Sequence, residues 1–291
     1  MTTTVAMNPN SRSNPIALDG VDFSEIEGQF NENVGAFLAQ VRHMNQQKIP
    51  ALMNALSVSK KTYLEMEKGK RQYRMHIIAW WSFVMGLSPL HILAQSDYFG
   101  HLPIGDYRNI RQIKLALLLQ RVPSSQSMEA LRGLIDDCPR TIHRDIDRSM
   151  HISIEEMEEA RRFLYSDDYY LMIADAMRRF ITQNGFTRRE FADFLSVTQR
   201  TVRRILKGEV ALNYSYYARF YLSTGVYPLT VVEEPAYMRV RLKLEQRFFL
   251  INDLIAGYGS QPERLDEALV QLGEQPADAY WRSLFTQQRE D

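Results

Sequence analysis

The chain has 291 residues, enough for two or three domains with buried cores. Its 45% apolar content and mixed charges exclude an intrinsically disordered chain. The 35 basic and 35 acidic residues cancel, so a nucleic-acid surface, which needs positive potential, has to be local.

Residues 1–30 are rich in Thr, Asn, Ser and Pro and read as a mobile N-terminal tail. The start, MTTTVAMNPNSRSNP, lacks the basic residues and apolar run of a signal peptide. No apolar stretch approaches the roughly 20 residues that span a bilayer. A cytoplasmic protein with no membrane partner is therefore expected. From Val34 onward apolar residues recur at three- and four-residue spacing, as in VGAFLAQVRHM, IRQIKLALLLQRV and ADAMRRFI, whereas strand-like alternation is scarce. The expected fold class is all-α. Turn-forming clusters at 100–103, 123–127, 184–185, 225–228, 235 and 257–262 divide it into units at 31–100 and 167–233, with a helical middle module at 105–166 and a helical C-terminal segment at 234–291. Acidic residues gather near the start (Asp19, Asp22, Glu25) and toward the end (Glu263, Asp266, Glu267), leaving basic stretches inside.

An internal repeat organises the chain. ALSVSKKTYLEMEKGK, from Ala55, aligns without a gap on FLSVTQRTVRRILKGE, from Phe194. Leu56, Ser57, Val58, Thr62, Lys68 and Gly69 fall on Leu195, Ser196, Val197, Thr201, Lys207 and Gly208. The same register places Asn45 on Asn184, Ala79 on Ala218, Gly86 on Gly225 and Pro89-Leu90 on Pro228-Leu229.

In the second copy, Thr187 followed by Glu190 forms a capping box and starts a helix at Arg188 whose inner face is Phe191, Ala192 and Leu195. Ser196-Val197 makes a tight turn, and Thr198 caps a second helix that runs to Gly208. Val202 and Ile205 point inward on it, leaving Gln199, Arg200, Arg203, Arg204 and Lys207 outward. Such charges also occur on any solvated helix face; their recurrence within a repeated unit favours a functional surface.

This order of helix, short turn and helix resembles the helix-turn-helix of the phage-repressor (Cro-like, XRE) family. Copy one carries the likeness in Ser59, Thr62, Tyr63, Glu67, Lys68, Gly69, Lys70 and Arg71. It departs where Met53 replaces the preferred Ala, where Ser57 and Ser196 replace the turn Gly, and where Ile49 replaces a polar residue that touches phosphate. The resemblance implies two repressor-like helical bundles and a transcriptional regulator that binds specific sequences of double-stranded DNA. The second helix of each unit would enter the major groove, bringing Ser59, Lys60 and Lys61 in copy one, and Thr198, Gln199 and Arg200 in copy two, to base edges. Arg suits guanine and Gln suits adenine. Lys68, Lys70, Arg71, Arg188, Arg189, Arg203, Arg204 and Lys207 would hold phosphates or flank the groove. The family pairs subunits on palindromic sites, which implies a homodimer; tandem units in one chain also allow a pseudo-dimer.

Residues 107–146 resemble the N-terminal part of a DeoR-type winged helix, through the helices expected at 113–119 and 128–135 and the run Arg140, Thr141, Ile142, His143, Arg144 and Asp145. Asp136 and Asp137 stand where a turn Gly and a buried Val belong, so a helical spacer or dimerisation module is the default expectation. Cys138, the single cysteine, excludes an intramolecular disulfide and reads as a small, half-buried residue. Tyr214, Tyr216, Tyr217, Phe220 and Tyr221 crowd one helix at the place where copy one has Trp80 and Trp81, as core packing would require. The amphipathic stretch 238–259 is expected to clamp the modules or dimerise.

No catalytic motif is present, whether H-E-x-x-H, a P-loop, G-x-S-x-G or a dinucleotide fingerprint, so neither an enzyme nor a cofactor is expected. His76, His91 and His101 are too dispersed for a metal site. The rival class is a protein-interaction adaptor or anti-activator that keeps the fold without gripping DNA; Glu65 in copy one and the neutral net charge favour it.

Overall fold

The computed structural model describes residues 23–95, 109–142, 150–224 and 232–286. His101, His143 and the repeat positions Gly225, Pro228 and Leu229 lie outside the described residues. Among the described residues the protein is all helical, with no strand and an isolated antiparallel bridge from Arg74 to Asn213. No described helix is long and apolar enough to cross a membrane.

The first repeat copy spans α1 (Phe23–Met44), α2 (Ile49–Leu56), α3 (Lys60–Glu67), α4 (Met75–Met85) and α5 (Leu90–Leu93). The middle segment holds α6 (Ile110–Arg121), α7 (Ser124–Asp136) and α8 (Ile154–Leu164). The second copy comprises α9 (Asp167–Asn184), α10 (Arg188–Leu195), α11 (Gln199–Ile205) and α12 (Tyr214–Thr224). The C-terminal segment is α13 (Pro235–Gly257), α14 (Pro262–Glu274) and α15 (Ala279–Thr286).

α4 has no polar face. Ile78, Ala79, Trp80, Trp81, Phe83, Val84 and Met85 are all buried, and a helix apolar on every side has to be enclosed. α2, α6, α8 and α13 pack around it. α13 starts on Pro235, whose fixed φ suits a first turn, and Glu234 accepts a hydrogen bond from Tyr237 N at 2.7 Å. It lies against α8, α6 and α4, while α14 covers α6 and α7, and α15 lies on α2. The C-terminal helices therefore clamp the other segments within the chain. Buried residues of all four segments belong to one contiguous apolar cluster. Cys138 is half-buried, its Sγ in the space that a Cβ on Gly257 would need.

The repeat is also written in the backbone. Among the described residues, the non-glycine residues in the left-handed region are Gln46, Ser57 and Ser196, and the glycines there are Gly69, Gly86, Gly185 and Gly208. In the alignment register Gln46 matches Gly185, Ser57 matches Ser196, and Gly69 matches Gly208. Both copies thus bend the chain at the same three points.

The copies meet along a seam. Met75 N donates to Leu212 O at 3.1 Å and Tyr214 N donates to Tyr73 O at 2.7 Å, framing the Arg74–Asn213 bridge. His76 lies in this seam, its Nδ1 2.5 Å from the Tyr170 hydroxyl. Burial, then the nearby Arg74 charge, lowers the His76 pKa from 6.5 to about 4, and complete burial does the same at His91. The unfolded chain takes up these protons near 6.5, whereas the folded chain resists them until about 4. The stability that both groups confer is therefore present above pH 6.5 and lost as pH falls toward 4. Urea unfolding should show stability decreasing from about pH 7 to about pH 5, with each histidine contributing up to about 1.4 kcal/mol per pH unit. His76→Gln should make that slope shallower.

Candidate nucleic-acid interface

In copy two the first helix, α10, is started by the capping box read from sequence. Thr187 Oγ1 accepts from Glu190 N at 3.2 Å, and Glu190 Oε2 accepts from Thr187 N at 2.7 Å. The Thr187 backbone N–H, and secondly its hydroxyl, hold the Glu190 carboxyl below the usual carboxylate range. Phe191, Ala192 and Leu195 are buried, leaving Arg188 and Arg189 exposed. Ser196 then takes φ 48° and ψ 48°, and Val197 N donates back to Ala192 O at 3.0 Å, which closes the helix end. The equivalent bond in copy one runs from Val58 N to Met53 O at 3.1 Å. A residue in this conformation is usually glycine; here serine occupies it twice.

The second helix of each unit is capped alike. Ser59 Oγ accepts from Thr62 N at 3.2 Å, and Thr198 Oγ1 accepts from Thr201 N at 3.1 Å. Each cap oxygen also lies 2.9 Å from the threonine hydroxyl three residues on. The hydroxyls expected at base edges are thus engaged in starting the helices, and Lys60, Lys61, Gln199 and Arg200 are the exposed first-turn side chains.

α11 ends at Ile205, short of the expected stop at Gly208. Gly208 instead takes φ 70° in the following turn, where Glu209 N bonds Arg204 O at 3.0 Å. Val202 and Ile205 are buried, and Arg200, Arg203, Arg204 and Lys207 are exposed. Glu209 sits 3.2 Å from Lys207 and 3.9 Å from Arg204. No ion pair holds Arg200, Arg203, Arg188 or Arg189 among the described residues. Arg178, Arg188, Arg203 and Lys207 line a cleft of about 750 Å³ beside α11, floored by Ile181, Phe186 and Leu206. Arg178 is a residue that sequence reasoning missed. Its Nη1 donates to Leu206 O at 2.8 Å, satisfying a carbonyl at the end of α11, and its Nη2 pairs with Asp175 Oδ1 at 3.2 Å at the edge of the cleft.

Copy one presents a different surface. Lys60, Lys61, Lys68 and Lys70 are exposed, but Glu65 on the same helix neutralises part of the field. Arg71 Nη1 lies 3.3 Å from Glu65 Oε2 and 3.3 Å from Thr62 Oγ1, and Lys61 Nζ lies 3.9 Å from Glu65. Arg71, expected at phosphate, is thereby held against α3. The helix is fastened to α1 by Arg42, whose Nε and Nη2 lie 2.6 and 3.0 Å from the Glu67 carboxylate, with the Tyr63 hydroxyl donating to it at 2.8 Å. That bonding raises the Arg42 pKa. The residues matching Arg42 and Glu67 in copy two are Ile181 and Leu206, so where copy one has an ion pair copy two has two apolar residues lining the cleft.

The first helices of the two units carry different side chains. Where α10 exposes Arg188 and Arg189, α2 has Ile49 and Pro50, and Met53 replaces Ala192. α15 lies on α2 with Trp281, Leu284 and Phe285 buried. An apolar helix face is what a docked helix requires. No family model, curated protein or solved structure matches the chain. Its functional reading therefore rests on these two surfaces and their chemistry. No group of His, Cys, Asp and Glu among the described residues is arranged to hold a metal ion.

Proposed function

We propose that the protein is a non-enzymatic, cytoplasmic transcriptional regulator that binds specific sequences of double-stranded DNA, with α11 as its stronger reading helix and α3 as its weaker one. The observation that carries this is the exposed cationic face of α11, continuous with the arginine-lined cleft beside it. A short helix held by a cap at its start and by buried Val202 and Ile205 presents Gln199 and Arg200 at its leading turn. Those side chains have the donor patterns that read adenine and guanine in the major groove. Arg188, Arg203, Arg204 and Lys207, joined by Arg178, supply charge for phosphates.

Several phosphate contacts should make the logarithm of affinity fall linearly and steeply with the logarithm of salt concentration, measured by fluorescence anisotropy. Arg200→Ala should relax base preference by about tenfold at its position. Lys207→Ala should weaken all sequences alike and make the salt slope shallower by about one. If neither substitution changes binding, α11 does not read DNA. The adaptor alternative draws on copy one, where Glu65 engages Arg71 and Lys61; salt-insensitive or absent DNA binding by the full chain would favour it.

A further inference from the structure

The seam between the copies is an exchange between equivalent residues. Arg74 and Asn213 occupy the same position of the repeat, as do Tyr73 and Leu212, and Met75 and Tyr214. The bond from Met75 N to Leu212 O and the bond from Tyr214 N to Tyr73 O are therefore one contact made twice in opposite directions. An antiparallel bridge between like positions has a local two-fold axis through it. Helix contacts across the seam are crossed in the same way. α1 packs on α12, where the Phe30 and Tyr214 rings lie 6.0 Å apart. α9 meets α4, the equivalents of α1 and α12, through Tyr170 and His76 at 2.5 Å.

We propose that one chain is a built-in dimer whose local two-fold axis serves as the dyad of its binding site. Its ligand is a DNA duplex carrying two half-sites in inverted orientation, bound with one chain per site. This rests on the DNA-reading function proposed above. Symmetric helix-turn-helix proteins match the dyad of their site by pairing two subunits across a two-fold axis. Here the pairing is closed within the chain, with Tyr73, Met75, Leu212 and Tyr214 buried in it and so withdrawn from contact with a second copy.

The two halves are not alike. Lys60, Lys61, Leu64 and Glu65 in copy one match Gln199, Arg200, Arg203 and Arg204 in copy two. Lys60 and Lys61 present other donor patterns to base edges than Gln199 and Arg200, so the half-sites differ in sequence, and Leu64 and Glu65 cannot make the phosphate contacts of Arg203 and Arg204, so the copy-two half dominates affinity. A homodimer, whose halves are identical, has no means of preferring an asymmetric site.

The test is selection of a randomised duplex pool on the full chain, followed by native mass spectrometry of the recovered duplexes. The expected result is two dissimilar, inverted half-sites at a fixed spacing, with one chain per duplex. Arg200→Ala should blur one half-site about tenfold, and Lys61→Ala should affect only the other. Both side chains are exposed, so neither variant disturbs the core. Two chains on a symmetric palindrome, or both variants acting on the same half-site, would overturn the built-in dimer while leaving DNA reading intact. Recovery of no sequence, together with salt-insensitive binding, would overturn the DNA function and this inference with it.

Discussion

Tyr214→Ala should lower the unfolding free energy by about 3–5 kcal/mol, the range for truncating a large buried aromatic side chain. Tyr214 is only 2% exposed, lies against Phe30 of the other copy, and donates its hydroxyl to Pro89 O at 2.7 Å. Burial also pushes its ionisation well above the usual tyrosine range, so the hydroxyl stays a donor at any working pH. Truncation leaves a cavity in the seam and reduces the Pro89 carbonyl to its bond from Ile92 N. Tyr214→Phe retains the ring and should cost about 1–2 kcal/mol, through loss of the Pro89 bond. Chemical denaturation of the three proteins measures both numbers. If Tyr214→Ala costs less than Tyr214→Phe, the ring does not hold the copies together.

Gly69→Ala is the second large effect, with an expected cost of roughly 3 kcal/mol or more from combined left-handed strain and overpacking. Gly69 has φ 64°, and a Cβ there would lie 2.6 Å from the Glu32 Cα and 2.7 Å from the Asn31 carbonyl oxygen. Both are backbone atoms of α1, so relief requires that helix to move away from α3. Gly208 has the equivalent role in copy two with φ 70°, but a Cβ there meets Leu171 Cδ2 at 2.7 Å, the end of a flexible side chain. Gly208→Ala should therefore cost less, about 1–2 kcal/mol. Gly185, with φ 67° and nothing within 4 Å, should cost about 1 kcal/mol as alanine. Its counterpart Gln46 already tolerates φ 53°. Thermal or urea unfolding of the three variants should rank them in this order; equal losses would show that backbone strain alone decides the positions.

Much of the local structure was legible from residue types. The Thr187–Glu190 capping box, the Thr198 cap, the bend at Ser196 and the buried face of Phe191, Ala192 and Leu195 stand where their side-chain chemistry places them. The end of α11 was less legible. Gly208 marks the turn, but the i→i−4 bonding ends with Leu206 N on Val202 O, and tighter turn bonds from Lys207 and Gly208 carry the chain to the left-handed glycine. The charges on the two reading helices were legible as types but not as partners. Arg71 pairs with Glu65, and Lys207 with Glu209, which depends on how each turn folds back on its helix.

The amino-acid sequence by itself determined the all-helical character of the described residues, the register of the repeat, and the caps and bends that shape each unit. These follow from backbone sterics and hydrogen bonds spanning a few residues. Only the tertiary structure decided that α15 covers α2, that Arg178 reaches the end of α11, and that the two copies exchange hydrogen bonds across the Arg74–Asn213 bridge. Burial of apolar surface is non-directional, so an apolar face announces that it will be covered without specifying the helix that covers it.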